Sequence, residues 1–149
     1  MHDPGDEDAP PVARIEEPRP PADWFLVNIK RSANALACRL GGPVYLVGSA
    51  LDVLNPADFD VRVLLREADL LRLFGKSMMR NGDWTDWTER DVRMGREQLK
   101  QSRRLSRRLR CNVDFQIQSE VDFKRYEGRP RLRLDTVPLE TFEVGFGDA

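Results

Sequence analysis

Two segments of the chain alternate apolar and polar residues, which is the pattern of a β-strand with one buried face. In residues 58–65, "DFDVRVLL", the apolar positions are Phe59, Val61, Val63 and Leu65, and the opposite positions are Asp58, Asp60, Arg62 and Leu64. Residues 112–118, "NVDFQIQ", place Val113, Phe115 and Ile117 on one face and Asn112, Asp114, Gln116 and Gln118 on the other. The sequence therefore predicts two strands that carry carboxylates on their polar faces.

Other segments show helical spacing or short apolar runs. Apolar residues recur at helical intervals over 24–40, where Asp23 is a suitable N-cap and Gly41-Gly42 a suitable end. We expect further helices over 66–76 and 85–110, a buried strand over 43–47 and a last strand over 131–135. This order predicts an α/β or α+β fold, in which helices pack on one face of a mixed sheet and the carboxylates lie on the other.

The N-terminal segment differs in composition from the rest of the chain. Residues 1–22 hold six of the ten prolines and six acidic residues against two arginines, which predicts a disordered tail, followed by one domain over 23–149. Since the whole chain carries a net charge of −1 and this segment carries −4, residues 23–149 carry +3. The near-neutral total thus conceals a mildly basic domain.

Several classes of protein are excluded or disfavoured by residue usage. The one histidine is His2, so a Ser-His-Asp or Cys-His nucleophile and a histidine-ligated zinc have no positioned imidazole. Cys38 and Cys111 lack the spacing of a zinc site and make no disulfide framework. We find no apolar run long enough to span a membrane and no signal peptide, and therefore expect a soluble, cytoplasmic protein.

The aspartates acquire a chemical meaning if the two alternating strands are neighbours. Asp58, Asp60 and Asp114 then project from one side of the sheet, where each carboxylate raises the proton affinity of the others unless a cation neutralises them. Carboxylate oxygens of this kind suit Mg²⁺ or Mn²⁺. The alternative is an ordinary solvated strand face, which is the commoner meaning of an isolated Asp-Phe-Asp.

The order of these motifs resembles the nucleotidyltransferase superfamily of the DNA polymerase β type. The resemblance spans residues 43–118: an apolar strand ending in Gly48-Ser49, a loop, Asp58-Phe59-Asp60 on the next strand, and Asp114 on a later strand. It implies that Asp58 and Asp60 ligate two Mg²⁺ or Mn²⁺ ions, that Asp114 completes one metal site and helps activate the acceptor, and that Gly48-Ser49 hold the nucleoside triphosphate. In this family an Arg or Lys often follows Gly-Ser, but none follows Gly48-Ser49 in this chain.

Two functions from different classes follow. The first is transfer of a nucleotidyl group from an NTP to a hydroxyl of RNA, a small molecule or a protein. The second is an inactive module of the same fold that binds nucleic acid, RNA more readily than DNA, or a partner protein as a regulator or antitoxin-like component.

A basic segment bears on both functions. Residues 93–110 hold eight basic residues and one acid, so Arg103, Arg104, Arg107 and Arg108 are predicted to contact a polyanion, unless they form only a solvated helix face. On this helix we expect Leu99, Leu105 and Leu109 to pack inward. We expect Trp84 and Trp87 to pack in the core; the alternative is that they stack on nucleic-acid bases.

Overall fold

The computed structural model describes residues 19–76, 89–124 and 128–142. Four strands are described: β1 Val44–Val47, β2 Phe59–Leu65, β3 Val113–Ser119 and β4 Arg131–Arg133. The four α-helices in this part of the chain are α1 Asp23–Leu40, α2 Glu67–Phe74, α3 Glu89–Leu109 and α4 Glu120–Lys124. The predicted elements are therefore present, with α3 described only from residue 89 onward.

The described strands form one mixed sheet in the order β3-β2-β1-β4. Strand β1 is antiparallel to both β2 and β4, whereas β2 and β3 are parallel. The chain is thus of mixed α and β architecture, as predicted. The parallel pairing of β2 and β3 confirms that the two alternating segments are neighbours, and it places their polar residues on the same face.

The apolar face of the sheet packs against α1 and α3. The ring of Phe25 on α1 stacks on that of Phe59 on β2, with centroids 4.0 Å apart and planes 10° from parallel. Leu105 and Leu109 of α3 are buried, whereas Leu99 is 51% exposed, so its predicted inward packing is wrong. Gln101 is buried instead, and its side-chain amide donates a hydrogen bond to Oε1 of Glu97 at 3.1 Å.

Helix α3 also covers the outer edge of β3. Backbone N–H groups of Val113, Phe115 and Ile117 donate to side-chain oxygens of Ser106, Ser102 and Gln98, at 2.9, 2.9 and 2.8 Å. Four residues of helix and two residues of strand both advance by about 6 Å, so the two spacings match. This ladder satisfies the donors that an edge strand would otherwise leave open to another strand.

The polar face of the sheet is not left entirely to the carboxylates, which corrects the prediction of helices on one face only. Helix α4 packs on it, and the Phe123 ring lies 5.3 Å from that of Tyr45 on β1. Two predicted outward residues are therefore buried, Leu64 with 4% and Gln118 with 9% of its surface exposed. The alternation predicted their face correctly, but it could not show that α4 covers that end.

Strand β4 is short, and a buried ion pair fixes its position. The Asp135 carboxylate accepts the backbone N–H of Val44 at 2.8 Å and two hydrogen bonds from Arg133, each 2.6 Å long. A bidentate, enclosed pair of this kind is geometrically specific. It aligns β4 with β1 and so determines which β4 side chains reach the polar face.

The boundaries of α1 agree with the prediction at its C-terminal end only. The N-cap of α1 is Ala22, which is buried, instead of Asp23, because the chain already turns inward one residue earlier. The end of this helix at Gly41 is as predicted, with φ at +95° and its N–H bonded to the Ala37 carbonyl. The proposed tail lies outside the described residues up to residue 18, as do residues 85–88. Within the described ranges, no helix combines the length and apolar character needed to cross a bilayer.

Candidate active site

Asp60 and Asp114 face each other across the parallel pair of strands. They are partners in the register of β2 and β3, and both side chains point to the polar face. Their side chains are 27% and 45% exposed, so both carboxylates are open to solvent from one side. The register explains why residues 54 positions apart in sequence meet here.

Arg62 extends its guanidinium to these two carboxylates. Its Nη2 lies 3.3 Å from Oδ2 of Asp114 and 3.8 Å from Oδ1 of Asp60, and its Nη1 donates to the Asp114 carbonyl oxygen at 2.8 Å. Gln116 donates to the same Oδ2 of Asp114 at 3.3 Å. A cation of the chain thus partly neutralises the pair of carboxylates.

Asp58 lies one residue before the start of β2 and two residues before Asp60. Its Oδ1 accepts a hydrogen bond from the Asn112 side chain, while the Phe59 backbone N–H donates to the Asn112 carbonyl at 2.8 Å. The three aspartates therefore lie along one edge of the polar face. Asp58 is engaged by Asn112, while Asp60 and Asp114 share Arg62.

The surroundings of Asp60 favour its protonated form. Partial burial is the largest cause and raises the pKa of the Asp60 carboxyl above its ordinary value. The neighbouring Arg62 lowers that pKa, and the negative charges of Asp114 and Asp58 raise it further. The net shift is upward, so Arg62 does not fully compensate the carboxylate in this position.

Gly48 packs directly against Asp60. It begins a short 3-10 helix, Gly48–Leu51, immediately after β1, and its φ is +79°. A Cβ atom placed on Gly48 would lie 2.5 Å from Oδ2 of Asp60, closer than real side chains approach. Glycine is favoured here by its backbone conformation, and any Cβ would displace the Asp60 side chain. Ser49, the next residue, is exposed beside it.

A cavity of about 280 Å³ opens between the 3-10 helix, α4 and β4. Its wall combines apolar, acidic and basic groups, namely Val47, Leu51, Phe123, Asp52, Asp60, Arg62, Arg129 and Arg131, together with Gly48, Gln118 and Pro130. Gln118 is buried, and its Oε1 accepts no hydrogen bond within the described parts of the chain. The cavity therefore has an unused hydrogen-bonding group in its wall.

The sequence did not identify Arg129 and Arg131 as members of this region. They follow α4 by several residues, and only the pairing of β4 with β1 places Arg131 opposite Val47. The alternation in "RLRLD" was a weak signal that Arg131 and Arg133 share one face of a strand. It contained no information about which strand they would join.

The donor set of the site suits a hard cation, although the observed arrangement is not closed around one. Asp58, Asp60 and Asp114 offer carboxylate oxygens, the ligands that Mg²⁺ and Mn²⁺ prefer. Across the described ranges, however, no group of three or more His, Cys, Asp or Glu side chains is gathered as for a metal ion. Arg62 contacts two of the three carboxylates, so a bound metal ion would compete with this side chain for their oxygens.

The predicted polyanion contact lies on a different surface. Arg103, Arg104, Arg107 and Arg108 are all exposed on α3, on the side turned away from the sheet. Arg104 and Arg108 also border a groove shared with α1, where Arg108 donates to the Ser32 hydroxyl at 3.4 Å. Trp84 and Trp87 lie outside the described residues. The basic surface and the carboxylates are thus separate features of the fold.

Comparisons with protein-family models, with curated proteins and with solved structures gave no match. The resemblance to nucleotidyltransferases therefore depends on the motif residues and on where the fold places them.

Proposed function

We propose that the protein is a metal-dependent nucleotidyltransferase, which moves an NMP group from an NTP to a hydroxyl acceptor. The observation that carries this proposal is the packing of Gly48 against Asp60, with Asp60 in register with Asp114 on the adjacent parallel strand. A sheet face that only meets water has no need for a glycine that lets the backbone approach a carboxylate this closely.

In this proposal Asp58, Asp60 and Asp114 hold Mg²⁺ or Mn²⁺. Such ions neutralise the phosphates of the nucleotide and lower the pKa of an attacking hydroxyl. The raised pKa of Asp60, whose largest cause is partial burial, supports a cation site, because a carboxylate that is costly to ionise gains from a bound cation. Arg62 acts as the internal counter-ion when metal is absent.

The remaining residues divide between nucleotide and acceptor. Gly48 lets the backbone approach a phosphate, and the exposed Ser49 can donate its hydroxyl to a phosphate oxygen. Asp114 is the most exposed of the carboxylates paired with Arg62, which suits a position beside the incoming acceptor. A reducing, cytoplasmic setting belongs to the same proposal, since Cys38 and Cys111 are free thiols.

The test uses labelled NTPs with Mg²⁺ or Mn²⁺, a pool of RNA, small-molecule and protein acceptors, and the variant Asp114→Asn. We expect NTP binding to be largely retained in this variant while single-turnover transfer collapses, because the acceptor loses its activation. The exposed Asp23, at the start of α1, supplies a matched control as Asp23→Asn, which should transfer like wild type. Equal transfer by Asp114→Asn and wild type would contradict the role assigned to Asp114.

A second candidate is a binding module of the same fold that does not turn over, and two observations favour it. Arg62 contacts the carboxylates that would ligate metal, and the basic surface of α3 is exposed. If this surface binds RNA, affinity should fall steeply with salt through counterion release. Replacing Arg103, Arg104, Arg107 and Arg108 together with Gln should flatten that dependence. If the protein does not bind RNA, or binds it with an affinity that does not depend on salt, the exposed face of α3 is only a solvated helix surface and this second function is contradicted.

A further inference from the structure

The sheet register aligns a guanidinium with the carboxylates in a single row. Val47 on β1 is the register partner of both Asp60 on β2 and Arg131 on β4, and Asp60 is the partner of Asp114 on β3. Asp114, Asp60, Val47 and Arg131 therefore cross the polar face in that order. Two inter-strand spacings, about 10 Å, separate the backbone of Arg131 from that of Asp60.

Arg131 is held in place by aromatic rings and not by an acid. Its guanidinium carbon lies 5.2 Å from the ring centroid of Tyr45 and 5.0 Å from that of Phe123. No ion pair to a described carboxylate neutralises it. The neighbouring Arg133, on the same face, makes a bidentate pair with Asp135 and donates to the Val137 carbonyl at 2.6 Å. Of these two, Arg133 anchors the fold, whereas Arg131 keeps its charge available.

The position of this charge determines which ligand chemistry it suits. Arg131 lines the same cavity as Gly48 and Asp60, and the wall also includes the charged residues Asp52, Arg62 and Arg129. A planar guanidinium presents parallel N–H donors that match phosphate oxygens. A polyphosphate can reach these donors at one end and the carboxylate-bound metal of the proposed function at the other.

We propose that Arg131 binds the polyphosphate of the nucleotide substrate. This inference rests on the proposed function and deepens it. The residue directly after Gly48-Ser49 is Ala50, so the loop itself supplies no cation. Strand β4 supplies a cation, Arg131, because it pairs with β1 on the side opposite to β2.

The test is calorimetric binding of inorganic tripolyphosphate to the full chain, in chelator and again with Mg²⁺, for wild type, Arg131→Gln and Arg131→Met. Charge-assisted hydrogen bonds contribute about 1.5–3 kcal/mol, so both variants should bind at least about tenfold more weakly than wild type. Arg131→Met keeps an unbranched apolar chain against the Tyr45 and Phe123 rings, and thermal melting verifies that it folds.

Two further variants distinguish this site from other sources of the same result. Replacing Arg103, Arg104, Arg107 and Arg108 with Gln should leave tripolyphosphate affinity unchanged, because those residues lie on α3. Asp60→Asn should not weaken metal-free binding, because it removes a negative charge from the cavity.

The outcomes separate the inference from the function on which it rests. Undiminished binding in both Arg131 variants, loss confined to the α3 variant, or no binding by wild type in either condition would each overturn the inference. Tripolyphosphate binding that depends on Arg131, together with no transfer to any acceptor, would support it while refuting the proposed enzyme.

Discussion

Replacing Gly48 with alanine should destabilise the protein by an amount that the local geometry sets. A non-glycine residue at positive φ costs about 1–2 kcal/mol. The added Cβ would lie 2.5 Å from Oδ2 of Asp60, so that side chain must leave its rotamer at a further cost of about 0.5–1.5 kcal/mol. We expect a total loss of about 2–3 kcal/mol, and a fall in Tm of about 4 °C per kcal/mol.

Two other glycines separate these contributions. Gly128 also has positive φ, at +85°, but a Cβ there would meet no described atom within 4 Å, so Gly128→Ala should cost at most the backbone term. Gly95 lies within α3 and has open space, so Gly95→Ala should stabilise the helix by about 0.5–1 kcal/mol. Chemical unfolding of the three variants gives the comparison directly.

A double-mutant cycle identifies the contact itself. In an Asp60→Ala background, Gly48→Ala should cost about 1 kcal/mol less than in wild type, because the obstructing carboxylate is gone. If Gly48→Ala is no more destabilising than Gly128→Ala, or if the cycle shows no coupling, then the close approach of Gly48 to Asp60 is not a feature of the folded protein, and the main support for the proposed function is lost.

The remaining predictions concern stability without ligand. Because its pKa is raised, Asp60 binds a proton more tightly in the folded chain than in the unfolded one, so its contribution to stability is present in acid and is lost as pH rises through that pKa. In chelator, Asp60→Asn should remove this decline and melt higher than wild type at neutral pH; a lower Tm there would contradict the burial argument. Ser102→Ala should lower the free energy of unfolding by about 1–3 kcal/mol, because it leaves the Phe115 N–H without an acceptor. The control Arg103→Ala, at an exposed position, should change it by less than about 0.5 kcal/mol. Equal losses in the two variants, measured by chemical unfolding, would show that the hydrogen bonds between α3 and β3 do not stabilise the protein. Gln118→Met should raise Tm, since it removes an enclosed oxygen without a donor, and unchanged or lower stability would mean that the carboxamide is satisfied in solution.

The sequence predicted the parts of the fold that depend on local periodicity. The alternation around Asp60 and Asp114 identified both strands and the face their side chains share, because side-chain direction in a strand depends only on residue parity. Their meeting was conditional on the strands being neighbours, which parity cannot decide. The pairing of β2 with β3 supplies that condition.

The interactions that the sequence could not predict all depend on tertiary register. In the sequence, nothing distinguishes Gln98, Ser102 and Ser106 from the other polar residues of a charged helix. Their role as acceptors depends on β3 being an edge strand that lies along α3. Arg62 was known to share a face with Asp60, but its contact with Asp114 crosses between strands. The position of Arg131 in the cavity wall depends on β4, a three-residue strand, and no local sequence pattern specifies which strand β4 pairs with.

The places where the fold leaves physical costs uncompensated support a binding site in the cavity. Elsewhere in the described residues, buried polar side chains are paired, as Asp135 is with Arg133, and the edge of β3 is paired with the serines of α3. Around the cavity lie two such costs, a carboxyl with raised pKa at Asp60 and an oxygen of Gln118 that has no hydrogen-bond partner in the described residues. A ligand that brings a cation to Asp60 and a hydrogen-bond donor to Gln118 relieves both costs. Both costs lie at one concave surface, and a single ligand can relieve them. We therefore interpret them as features of a binding site and not as defects of packing.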